Sequence, residues 1–136
     1  MTATIEKRAY GPGSSEAEIQ AIKARLTPLS ATAFRWEEMP VQSPFSVQTM
    51  VEVMQVRTRG LAQWDLIVDL RSASPPSQEV RAALFAALKQ FPTMRKCACV
   101  TGRNFLMNVA AKFVFSSLSI PVSVHKTMED GLREIG

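Results

Sequence analysis

Three short polar stretches hold the residues best suited to chemistry, and each follows an apolar run. They are Arg71-Ser72-Ala73-Ser74-Pro75-Pro76-Ser77, Thr101-Gly102-Arg103-Asn104 and Lys126-Thr127. If the apolar runs are parallel strands, their outgoing turns gather at one edge of a sheet, where open α/β folds bind ligands. Arg71, Ser72, Ser74, Ser77, Thr101, Gly102, Arg103, Asn104 and Lys126 are therefore the candidate ligand- or partner-binding residues. Three helix N-termini beside three cations make a positive, donor-rich rim suited to a phosphate, a nucleotide or an acidic partner segment. Ser77 and Ser74 stand at a helix start, where a phosphoryl group is electrostatically tolerated. The plainer readings are that these serines are N-caps and that the rim is an ordinary solvated loop edge.

The ingredients of catalysis are not assembled. His125 is the single histidine, and Ser-His-Asp order and His-Glu-x-x-His are both missing. Glu37 and Glu38 are adjacent, so on a strand they face opposite sides. Thr-Gly-Arg-Asn lacks the lysine and the spacing of a P-loop. Cys97 and Cys99 point to one face of an expected strand and read as buried thiols; with one histidine they make a poor zinc site. The expectation is a non-enzyme with no metal and no cofactor.

The elements that would position the rim are legible from residue 44 onward. Ser43-Pro44 opens a helix, Val47, Met50, Val51, Met54 and Leu61 mark its stripe, and Gly60 ends it. Trp64–Leu70 is apolar enough for a strand buried on both faces. Val80, Ala83, Leu84, Ala87, Leu88 and Phe91 give a helical stripe that Pro92 stops. Lys96–Val100 is the next strand. Leu106, Val109, Ala110, Phe113, Val114 and Leu118 form the core stripe of the following helix, widened by Phe105 and Phe115. Ile120–His125 is a strand with Pro121 at its start or edge. Thr127 caps a last helix with Glu129 and Asp130 in its first turn and Leu132 and Ile135 inward. Alternation of this kind predicts an α/β fold with parallel strands.

The first 40 residues read less simply. Residues 31–39 alternate like a strand, with Phe34 and Trp36 on one face. Ser15 and Glu18 make a capping box for a helix over 16–26, yet residues 19–26 also suit a strand hairpinned to 31–39 through Thr27-Pro28-Leu29-Ser30. Both remain open. Gly11-Pro12-Gly13 marks a joint, so residues 1–15 are expected to be flexible and residues 16–136 to form one domain.

Bulk composition bounds the partners. The 136 residues are 46% hydrophobic and 21% charged, which supports one globular core. Apolar runs are too short to cross a membrane, and the first residues lack a secretory leader, so a cytoplasmic location is expected. The net charge of +4 is spread along the chain and one tyrosine is present, so nucleic acid is not an expected partner.

Trp64-Asp65-Leu66-Ile67-Val68-Asp69-Leu70 followed by a Ser/Pro loop and a helix resembles the central signature of STAS-like domains, the superfamily of sulfate transporters and anti-sigma-factor antagonists. Lys96 to Ile135 is similar to the second half of its stand-alone bacterial relatives, and the likeness covers residues 31–136. It implies a mixed, mostly parallel sheet of four to five strands flanked by helices and opened by an antiparallel hairpin. It further implies a regulatory protein–protein interaction module, partnered or self-associating as a homodimer; the alternative is a binder of an anion or nucleotide at the strand ends, or of lipid between helices. Relatives are switched by phosphorylation of a serine at the helix after the Asp-Leu strand. Their Asp-Ser-Ser-Gly is here Pro75-Pro76-Ser77-Gln78, so Ser77 or Ser74 is the position that corresponds.

Overall fold

A computed structural model describes residues 9–116 and 121–135. The fold is α/β: a five-stranded mixed sheet, mostly parallel, with helices on both faces. Helix α1 (Glu16–Lys23) is followed by β1 (Leu26–Ser30) and β2 (Ala33–Glu37), then α2 (Pro44–Arg57) and β3 (Trp64–Asp69). Next come α3 (Gln78–Leu88), β4 (Met94–Val100), α4 (Phe105–Phe115), β5 (Val122–His125) and α5 (Met128–Ile135). The strands lie in chain order, β1 antiparallel to β2 and every later neighbour parallel.

Both readings of the N-terminal region hold in part. Ser15 Oγ accepts from Glu18 N and Glu18 Oε1 accepts from Ser15 N, closing the capping box that starts α1. The hairpin exists too, shifted onward: residues 27–30, expected as its turn, are strand β1, pairing Leu26 with Trp36 and Pro28 with Phe34. Pro28 is tolerated because β1 is an edge strand. Within the segment expected to be flexible, Tyr10 is buried and its carbonyl accepts from Ser43 Oγ at 2.6 Å; residues 1–8 of that segment lie outside the described residues.

Strand alternation divides the core. Phe34, Trp36, Leu66, Val68, Cys97 and Cys99 point to one face, under Ile22 of α1, Val47, Met50, Val51 and Met54 of α2, the stripe of α3, and Met107 and Ala111 of α4. Trp64 closes one end of this core, edge-on to Phe34 and Phe91, with Nε1 donating to Thr93 Oγ1 at 2.8 Å. The second face holds a smaller cluster, Ile67, Ala98 and Val100 against Ile135 of α5.

Two inward stripes differ from the sequence expectation. In α5, Gly131 and Ile135 are buried and Leu132 is exposed. In α4, Met107 and Ala111 are buried, whereas Leu106, Val109 and Phe113, expected inside, face outward with Phe105. The side chains of Val114 and Phe115, and Leu118, fall outside the described residues. The physical reason is that α4 is apolar nearly all round, so its periodicity does not single out one face.

Gly131 sets how closely α5 approaches the sheet. A Cβ there would stand 2.9 Å from Cγ2 of Val100, a fully buried, β-branched side chain. Gly131→Ala ordinarily gains about 1 kcal/mol of helix propensity. Here it is expected to destabilise by about 1–3 kcal/mol through overpacking, read as a lowered Tm in thermal unfolding; a raised Tm would refute the contact.

Candidate functional site

β3, β4 and β5 are neighbours and parallel, so their outgoing turns do emerge at one edge. The rim there is only partly assembled. Gly102, Arg103, Asn104 and Lys126 line an open cleft of about 680 Å³, joined by Phe105, Asn108 and Lys112 of α4. Gly102 adopts φ +67, the left-handed turn that leads into the helix. Asn104 is the N-cap, its Oδ1 accepting from Met107 N at 3.0 Å. Among the described residues, three cations line this cleft and no acid does.

The other rim candidates, Ser72 excepted, are engaged elsewhere. Thr101 is buried, and its amide donates to the His125 carbonyl at 2.9 Å. Ser77 is the N-cap of α3, its Oγ accepting from Val80 N at 3.2 Å. Ser74 ties the β3–α3 loop back to the β2–α2 loop: its amide donates to the Pro40 carbonyl and its carbonyl accepts from Gln42 Nε2. Ser72 is exposed. Arg71 turns onto Asp69, Nε to Oδ1 and Nη2 to Oδ2, both at 2.9 Å.

That Arg71 contact belongs to a charged cluster on the second sheet face. Asp69, almost fully buried, also accepts from Arg35 Nη2 at 2.7 Å and from the Arg71 amide. Burial alone would raise the Asp69 carboxyl, but hydrogen bonds from Arg71 and Arg35 outweigh it and hold the group at about 2. Glu37 lies 3.7 Å from both Arg25 and Arg35. Asp65, one strand-repeat pair back from Asp69, takes a bidentate pair from Arg95. Alternation along β3 was the signal available for this cluster: Asp65, Ile67 and Asp69 share a face, so the strand is not apolar on both.

Opposite, below α4, is a small apolar cavity of about 30 Å³. Its lining includes Trp36, Leu66, Leu84, Met107, Ala111 and the fully buried Glu38. Burial pushes the Glu38 carboxyl up to about 7, against the opposing pull of the Met39 amide, Trp36 Nε1 and the Arg25 charge. The sequence held a signal for this as well, since Phe34, Trp36 and Glu38 continue one alternating row. The volume suits a single water and is far short of a ligand pocket.

The thiols of Cys97 and Cys99 are free and buried, and burial beside Cys97 pushes the Cys99 thiol well up. His125 Nε2 sits 2.7 Å from Ser123 Oγ. Among the described residues no helix is long and apolar enough to cross a membrane.

The outward face of α4 is the other distinctive surface. Phe105 is 76% exposed, Leu106 67%, Val109 49% and Phe113 69%. Spaced three and four apart, they form one stripe over two helical turns. Large apolar side chains exposed together, unlike scattered ones, mark interaction surfaces. Arg81 of α3 stands 5.7 Å from the centroid of the Phe113 ring. In comparisons with known proteins, no family model, no curated protein and no solved structure matches this chain.

Proposed function

We propose that this protein is a non-catalytic regulatory interaction module, related to the STAS-like domains it resembles, that docks on a protein partner through the outer face of α4. The observation that carries this reading is the stripe of Phe105, Leu106, Val109 and Phe113, held out in water by a helix whose other side is packed. Leaving two phenylalanines, a leucine and a valine exposed forgoes several kcal/mol of burial, which association recovers. The cationic cleft beside Phe105 also suits a phosphate-bearing small molecule, which is the second reading. Such a ligand leaves the apolar stripe without a role, so docking is the fuller account.

The test is a paired substitution. Leu106→Asp with Phe113→Asp is expected to change folding stability by no more than about 1 kcal/mol, because both side chains are exposed. The variant should lose a protein that the wild type recovers stoichiometrically from lysate. Val56→Asp on α2, an exposed apolar position on another helix, should keep it. Equal recovery by all three proteins would remove α4 as the docking face.

A further inference from the structure

The charges around the α4 stripe identify the chemistry of what covers it; this step rests on the docking reading above. Five arginines elsewhere are spent on acids: Arg71 and Arg35 on Asp69, Arg95 on Asp65, Arg25 on Glu37, Arg133 on Glu129. Arg103, Lys112 and Lys126 are set apart by sharing one cleft whose described lining holds no acid. Among the described residues none of them has an ion pair, and all three line the cleft next to Phe105. Arg81 adds a fourth positive group over Phe113 at the other end of the stripe. α4 carries no acidic residue.

An apolar row framed by unpaired cations is complementary to an apolar row framed by carboxylates. A second copy of this chain does not supply that. A two-fold axis through the stripe would set one ring of Arg103 and Lys112 against another. A lipid surface matches poorly for a geometric reason. Lys126 and Arg103 line a concavity beside the Phe105 ridge, and a layer of lipid headgroups has no row of side chains to fill it. A ridge beside a cleft fits the side-chain rows of a discrete helix.

We infer that the α4 face receives an acidic amphipathic helix of a partner protein. Its apolar residues, at i, i+3 or i+4, and i+7, lie along Phe105, Leu106, Val109 and Phe113. Its Asp and Glu residues meet Arg103, Lys112 and Lys126 in the cleft.

A display library of short helical peptides, selected on the intact protein, tests this. Recovered peptides should carry an apolar row at helical spacing and a net negative charge. As free peptides they should bind the Lys112→Glu, Lys126→Glu double variant at least about tenfold more weakly than wild type. Neutral or basic recovered peptides, or acidic ones indifferent to the double variant, would overturn the inference. So would α4-dependent binding to phosphatidylserine vesicles, or a concentration-dependent dimer in sedimentation that Leu106→Asp with Phe113→Asp abolishes; either leaves the docking face intact. If peptides, vesicles and a second copy all ignore α4, the docking reading itself fails.

Discussion

Asp69→Ala is expected to cost about 3–5 kcal/mol of folding stability, among the largest effects of any single substitution in this protein. The carboxylate is almost wholly buried and accepts from two guanidiniums and one amide. Arg71, 44% exposed, can turn to solvent once the acid is gone. Arg35 is less free: its Nε is already buried without a hydrogen-bond partner, and its remaining acid is Glu37 at 3.7 Å. The loss therefore falls mainly on a stranded Arg35 charge. Asp69→Asn, which keeps the shape without the charge, should recover less than half of it.

The pH dependence of the same group has a definite sign. Its carboxyl is held at about 2 in the folded state against an ordinary 3.8. The contribution is present above pH 3.8 and is lost as pH falls toward 2. Urea unfolding of wild type and both variants measures all of this. A loss below about 1 kcal/mol for the alanine variant would show that the cluster is ornamental.

The second large effect runs the opposite way. Glu38 sits at about 7 when folded against an ordinary 4.5. Folding therefore takes up a proton between those values. Stability attributable to Glu38 is complete below pH 4.5 and disappears as pH rises through 7. A shift of this size corresponds to about 3 kcal/mol. Glu38→Gln removes the titration while keeping a neutral acceptor near the Met39 amide and Trp36 Nε1. Wild type and variant should be about equally stable near pH 4 and diverge until, above pH 7, the variant is more stable by up to about 3 kcal/mol. A difference curve that stays flat across that interval would refute the burial of an ionisable Glu38. Because Glu38 lines the cavity beneath Met107 and Ala111, charging it acts directly under α4.

The two carboxylates show what strand alternation could and could not disclose. Asp65 and Asp69 share a parity on β3, and Glu38 continues the parity of Phe34 and Trp36. That much is a property of a two-residue repeat and is legible in the letters. Which parity is covered by a helix, and whether a cation from another strand reaches it, is not. Arg35 lies 34 residues from Asp69 in sequence, and parallel pairing of β2 with β3 brings them together.

The alternation of helices and strands from residue 44, the caps at Ser43, Ser77 and Asn104, and the buried thiols were set by local patterns: apolar period, side-chain oxygens beside free amides, and proline and glycine stops. The common edge of β3, β4 and β5 followed from them, since parallel strands joined by helices must exit on the same side. The orientation of α4 was decided only in three dimensions. Its apolar side chains surround the helix, so no stripe outranked another. Small alanines against α3 and the sheet, with Met107 filling the gap, chose the inner side and left Phe105, Leu106, Val109 and Phe113 in water. The separation of the nine rim candidates is likewise tertiary. Arg71 and Arg103 look equivalent in sequence, but a buried carboxylate beneath one and an open cleft beside the other make the first structural and leave the second available.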